Sequence, residues 1–241
     1  MRIAVISDIH ANLEALDAVM EDIRGQDTED IWCLGDIVGY GADPNPVTER
    51  ITAEVEINVA GNHDWAAVGK MTLGYFNSAA AASAEWTNQN LTQKNHEWLA
   101  ALPLERVERG IRLVHGSPSD PAGWHYVLSI AEAEGEMTTY DEQLCLIGHS
   151  HFLGNFEQDG NEINYNRGER VKCLSGRRYL VNVGSVGQPR DGDPRAAYAV
   201  LDTEENELWH RRVPYDVESA HRKILEAGLP RFLADRLLQG T

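Results

Sequence analysis

The chain is short of positive charge. Among 241 residues, 21 Lys and Arg stand against 38 Asp and Glu, a formal net charge of −17. That balance excludes broad, sequence-independent binding of nucleic acid, which needs a basic face. An acidic protein can still handle phosphate where bound cations invert the field locally. Cysteine is scarce too. Cys33, Cys145 and Cys173 are an odd number at no metal-like spacing, so neither a disulfide framework nor a thiolate metal site is expected. Cys33 and Cys145 lie inside apolar runs and read as small buried hydrophobes in a reducing compartment. No apolar run approaches a membrane span, and Met1-Arg2-Ile3-Ala4-Val5-Ile6 runs straight into a strand rather than reading as a signal peptide. A cytoplasmic protein without a membrane partner is expected. Linkers, repeats and low-complexity tracts are missing as well. A single domain over residues 1–241 is therefore the simplest organisation, and that length supports an α/β core without staples.

What the chain does have is a repeated grammar of apolar runs that stop at a polar, ligand-bearing loop. Ile57-Asn58-Val59-Ala60 stops at Gly61-Asn62-His63-Asp64. Taken alone, such a stretch is a turn more often than a site, since Asn, Asp and Gly are turn residues. Repetition overturns that reading. The strand Arg2 to Ser7 ends in Ser7-Asp8-Ile9-His10, and Ile31-Trp32-Cys33-Leu34 ends in Gly35-Asp36. Ile111-Arg112-Leu113-Val114 ends in His115-Gly116-Ser117-Pro118, and Leu144-Cys145-Leu146-Ile147 in Gly148-His149-Ser150-His151. Tyr179-Leu180-Val181-Asn182-Val183 ends in Gly184-Ser185-Val186-Gly187. Open α/β sheets place ligands at such strand ends.

Between these strands, a helix from an Asn12 cap buries Leu13, Leu16, Met20 and Ile23 and stops at Gly25. Pro46 suits the first turn of a short helix through Ile51. A helical insertion at about 65–103 reads as two helices joined near Asn90-Leu91-Thr92, a crossover packed on the sheet rather than a lid. Ile130 to Tyr140 reads as helix, and Phe152 to Arg178 as hairpins. Arg167, Arg170, Lys172, Arg177 and Arg178 are read as an exposed basic hairpin. Ala196 to Leu201 and Leu208 to Val213 pair about a turn at Glu204-Glu205-Asn206, and one or two helices occupy about 217–238. Alternating β and α signals in the first half indicate an α/β class.

Collected from the strand ends, the candidates are Asp8, His10, Asp36, Asn62, His63, His115, His149 and His151. A mixed carboxylate, amide and imidazole set suits divalent Mn, Fe or Zn. One ion would leave several groups without a partner, whereas two ions about 3.5–4 Å apart, bridged by one carboxylate, would use them all.

Asp8-Ile9-His10, Gly35-Asp36, Gly61-Asn62-His63-Asp64, His115 and Gly148-His149-Ser150-His151, in this order, resemble the ordered blocks of the calcineurin-like metallophosphoesterase superfamily. The resemblance implies two mixed β-sheets packed as a sandwich flanked by helices, and two divalent transition metals. It implies that Asp8, His10, Asp36 and His151 hold one metal and Asp36, Asn62, His115 and His149 the other. The implied enzyme hydrolyses phosphodiester or phosphomonoester bonds of a small phosphorylated or nucleotide-type substrate through a bridging hydroxide, with His63 as general acid. A dinucleoside polyphosphate hydrolase and a non-catalytic scaffold of the same fold are the alternatives. Asp36 is followed by Ile37-Val38-Gly39-Tyr40-Gly41, without the Asp-Arg-Gly of the protein-phosphatase branch, so protein phosphatase activity is not expected and the orienter of His63 is open. The block Asn182 to Arg195 resembles one in small bacterial and archaeal members, which makes Asn182, Gly184, Ser185, Arg190 and Arg195 candidate substrate contacts.

Overall fold

The computed structural model describes residues 1–167 and 170–241. Its first half alternates strand and helix: β1 (Arg2–Ile6), α1 (Leu13–Arg24), β2 (Asp30–Cys33), α2 (Pro44–Glu54), β3 (Ile57–Asn58), then α3 (Asn62–Ala67), α4 (Ser78–Asn90) and α5 (Gln93–Ala100). The chain continues through β4 (Glu105–Glu108), β5 (Ile111–Val114), α6 (Ile130–Met137), β6 (Leu144–Ile147), β7 (Gly154–Asp159), β8 (Glu162–Asn166) and β9 (Arg170–Lys172). It closes with β10 (Arg178–Asn182), β11 (Ala196–Asp202), β12 (Glu207–Val213), α7 (Val217–Glu226) and α8 (Arg231–Asp235).

Two six-stranded mixed sheets result, ordered β3-β2-β1-β11-β12-β9 and β4-β5-β6-β10-β7-β8. In the first, β1, β2 and β3 are parallel and β11, β12 and β9 antiparallel. In the second, β5, β6 and β10 are parallel. Alternation along each strand then sorts side chains into layers. On β1, Ile3 and Val5 join Trp32, Leu113, Leu146 and Val181 in the core between the sheets, while Ala4 and Ile6 face Leu16, Val19 and Ile51 of the outer helices. Strands buried on both faces need apolar residues at every position, which is why they read as continuous apolar runs.

Local chemistry fixes the helix ends. The Asn12 side chain accepts from Ala15 N at 3.1 Å, an N-cap worth about 1 kcal/mol, and Gly25 caps the other end. Both ends match the expectation, as do the two helices joined at residues 91–92.

Three local expectations change. Asn62-His63-Asp64 is the opening turn of α3, not a loop, because Asp64 caps that turn by accepting from Gly61 N at 2.9 Å. Only part of the Phe152 to Arg178 stretch is a hairpin: β7 pairs with β8, but β9 joins β12 in the other sheet. Residues 168 and 169 of that stretch lie outside the described residues. Its basic residues form no common face. Arg170 pairs with Glu207 and Arg177 with Asp159, while Arg178 donates to the carbonyls of Met137 and Tyr140. No helix among the described residues is long and apolar enough to cross a membrane.

Candidate metal centre

The parallel strands of both sheets deliver their C-terminal loops to one place. Ligand atoms of Asp8, His10, Asp36 and His151 lie within 4.8 Å of one another, and so do those of Asp36, His115 and His149. Asp36 belongs to both groups. All six are buried, with Asn62 and His63 buried beside them. Sharp chain reversals make this convergence possible: Asp8, His10, Asp36, His149 and His151 have φ between 51° and 66°. Non-glycine residues rarely adopt that region, and strain of this kind is concentrated at functional sites.

The imidazoles are aimed by backbone carbonyls. His10 Nδ1 donates to Val38 O at 3.2 Å, His115 Nδ1 to Leu34 O at 2.8 Å and His151 Nδ1 to Gln188 O at 2.5 Å, while His149 Nε2 donates to Trp124 O at 2.8 Å. A carbonyl only accepts, so the ring nitrogen facing it carries hydrogen and the other presents a lone pair to the cluster. Two such lone-pair nitrogens, His10 Nε2 and His151 Nε2, face each other at 3.1 Å. Asn62 Oδ1 and His115 Nε2 are buried without a hydrogen-bond partner. Converging lone pairs and an orphaned amide oxygen suit a cation.

Electrostatics ask for the same thing. Burial pushes the Asp8 carboxyl up to about 6, with the charge of Asp36 adding to it. Burial opposes ionisation of Asp36 too, but His115, His63 and His10 outweigh it and hold Asp36 low. His115 is buried and nonetheless raised to about 9, because Asp36, 3.3 Å away, and Asp8 favour its charged form. Burial lowers His10 and His151, and takes His149 to about 3. Three imidazoles that resist protonation, and a fourth drawn to positive charge by the carboxylates beside it, make a set that suits divalent metal.

His63 is held differently. Its backbone N–H donates to Asp36 Oδ1 at 2.8 Å, while its ring packs against Tyr40 (centroids 4.2 Å apart), Phe76 (4.7 Å) and His10 (5.0 Å). Its Nδ1 has no hydrogen-bond partner, and burial lowers it to about 4. Rings, not an acid, orient it. Asp64, its sequence neighbour, instead accepts from Ile37 N at 2.9 Å and Val38 N at 3.1 Å, tying the Asp36 loop to α3. Gly39 completes the cradle: with φ at 89°, a Cβ there would stand 2.6 Å from His63 Nδ1. Gly39→Ala is therefore expected to displace the ring and cut turnover by about ten-fold while metal content stays, since small misplacements cost that much or more. Steady-state kinetics with metal analysis check this, and unchanged turnover would remove Gly39 from the site.

The candidate substrate contacts fall into three groups. Arg190 is half-buried beside the cluster, donating to Gln188 Oε1 at 2.9 Å and lying 5.7 Å over the Tyr40 ring, and its charge reaches His10, His63 and His151. Asn182, Gly184 and Ser185 are buried beneath the cluster and engaged there. Asn182 Nδ2 donates to Gly148 O at 2.6 Å and its Oδ1 accepts from Gly184 N at 3.0 Å, while Ser185 Oγ donates to Asp8 O at 2.8 Å. Arg195 pairs with Asp193 at 2.6 Å on the surface. One cation went unread in the sequence: Arg236, close enough to feel the charges of Arg190, Tyr40 and Tyr126 and lowered to about 10 by burial and Arg190.

A cavity of about 520 Å³ opens over Asn62, His63 and His149. The expected crossover describes α5, whose Leu99 and Trp98 join the helical core, but Met71, Thr72, Tyr75, Phe76 and Asn77 line this cavity.

The calcineurin-like phosphoesterase superfamily domain matches residues 1–206. An uncharacterized protein of Methanocaldococcus jannaschii is 39% identical over 242 residues, covering 99% of this chain and 98% of that protein. The crystal structure of a metallophosphoesterase from Sphaerobacter thermophilus superposes with a TM-score of 0.89 at 39% identity, covering 100% of this chain and 99% of that one. A hypothetical protein from Pyrococcus horikoshii, 21% identical, shares the fold with a TM-score of 0.80 over 100% of this chain and 98% of its own.

Proposed function

The chain belongs to the calcineurin-like phosphoesterase superfamily, and from that premise we propose that it is a dinuclear-metal hydrolase of small phosphate esters, with diesters preferred. The carrying observation is the set of four imidazoles, each fixed by a backbone carbonyl and each grouped with Asp36, two of them with Asp8 as well. In this reading Asp8, His10, Asp36 and His151 would hold one ion, and Asp36, Asn62, His115 and His149 the other. Divalent cations held there would supply Lewis acidity toward the phosphoryl oxygens and would lower the pKa of bound water.

The remaining work falls to the chain's own side chains. Arg190 is placed to bind a phosphate oxygen, and its guanidinium is offset by no carboxylate within ion-pair distance among the described residues. His63, at the floor of the cavity, donates to the leaving oxygen. Burial keeps it neutral near pH 7 until an anionic phosphate seats against it and favours the charged ring. Tyr40 and Phe76 exclude water from one side of that ring and keep it aimed. Diesters are favoured because the cavity gives a second substituent room next to the cluster.

The test is a side-by-side rate on bis-p-nitrophenyl phosphate and p-nitrophenyl phosphate with Mn-loaded protein. Faster diester hydrolysis that disappears on chelation is expected. Monoester preference would redirect the reading to phosphorylated metabolites, and absence of both activities would end it.

A further inference from the structure

The cavity over the metal cluster is walled by aromatic rings from separate stretches of chain: Trp65, Tyr75 and Phe76 on one side, Trp124 and Tyr126 on another, with Tyr40 beside His63. Most of these rings are already engaged. Phe76 and Tyr40 pack on His63, and Trp65 meets Trp124 edge-on at 5.5 Å. Two are not. Tyr75 is 86% exposed and makes no ring contact among the described residues; Tyr126 lies parallel to His149 at 4.2 Å, yet is 47% exposed. An aromatic ring held at the mouth of a cavity with so little cover is apolar surface awaiting a partner.

The segment that carries Tyr126 is also strained. Trp124 has φ 54°, in the left-handed region that bulky side chains avoid, and its carbonyl accepts from His149 Nε2 at 2.8 Å. One strained residue therefore sets both a candidate metal ligand and the cavity wall. Asp120 and His125, 3.6 Å apart, add a polar edge to a chamber rich in aromatic rings. Its volume falls within the range of small-molecule sites. Flat rings with a polar edge suit a flat heterocycle better than an aliphatic chain, which would gain nothing from stacking.

We propose that this cavity binds the base of a nucleoside phosphate ester, stacked on Tyr75 and Tyr126, with the ester phosphate at the His63 end. This names the substrate class of the hydrolase reading above and rests on it for the chemistry, although base binding is measurable without turnover.

The test titrates the metal-loaded protein with non-hydrolysable phosphonate analogues of adenosine 5′-monophosphate, ribose 5-phosphate and phenyl phosphate, followed by tryptophan fluorescence. The adenosine analogue is expected to bind about five- to 150-fold more tightly than the ribose analogue, the contribution of base stacking. Tyr75→Ala and Tyr126→Ala each shrink that preference, the pair together brings it near parity, and Tyr126→Phe, which keeps the ring, retains it. Equal affinity for the adenosine and ribose analogues, a phenyl analogue that binds as tightly as the adenosine one, or an undiminished preference in both alanine variants would overturn the proposal. Ester hydrolysis by the same preparation is scored separately, so that failure of the hydrolase reading and failure of the base site are told apart.

Discussion

Asp36→Asn is expected to lose both metals together and at least about 10³-fold in ester hydrolysis. Asp36 is the one residue common to the two ligand groups, and its neighbours are arranged around its charge. His115 is raised to about 9, and burial, which would lower it, is outweighed chiefly by Asp36. Asparagine keeps the shape and keeps an oxygen that accepts from His63 N, now bonded at 2.8 Å, so α3 stays in place. What goes is the negative charge between two cation positions. Several kcal/mol of transition-state stabilisation leave with the metals, and each 1.4 kcal/mol is ten-fold in rate. A variant that kept one ion at full occupancy would show that the groups are independent and that Asp36 does not bridge them.

His63→Ala is expected to keep the metals and lose turnover by about 10²- to 10⁴-fold on an ester with an alkoxide leaving group, the range typical of a lost proton donor. The His63 backbone N–H, which bonds to Asp36, survives the substitution, and no carbonyl fixes the ring as carbonyls fix the four histidines of the cluster. The loss should be smaller on p-nitrophenyl esters, whose leaving group needs little protonation. A purely structural role would depress both substrates alike. Equal loss of metal and activity would make His63 a ligand instead.

Much of this was readable before any coordinates. The strands buried on both faces announce themselves as apolar runs, and the ligand types follow at the ends of five of them, because a parallel sheet gathers its C-terminal loops on one side. The Asn12 cap and the Gly25 stop were equally plain. Other features have no local signature. β4, with the sequence Glu-Arg-Val-Glu, is an exposed edge strand whose charges mask its pairing. Helix α3 is six residues long and is pinned by an aspartate that bonds across to residues 37 and 38. Arg236 comes near Arg190 and Tyr40 from the last helical turns, and the cavity rings come from stretches some fifty residues apart, relations that only tertiary packing creates. The orienter of His63 stays open in the sequence, because packing between distant rings has no local signature; in the fold Tyr40, Phe76 and the room left by Gly39 hold the ring.

The central claim is a two-metal centre bridged by Asp36, and metal content per chain tests it most directly. Wild type, Asp36→Asn and His63→Ala are loaded with Mn, desalted without chelator and analysed together. The account predicts close to two ions per chain in wild type and His63→Ala, and close to none in Asp36→Asn. A wild-type protein that takes up no ion, or that saturates at one and still hydrolyses esters at its full rate, would contradict it.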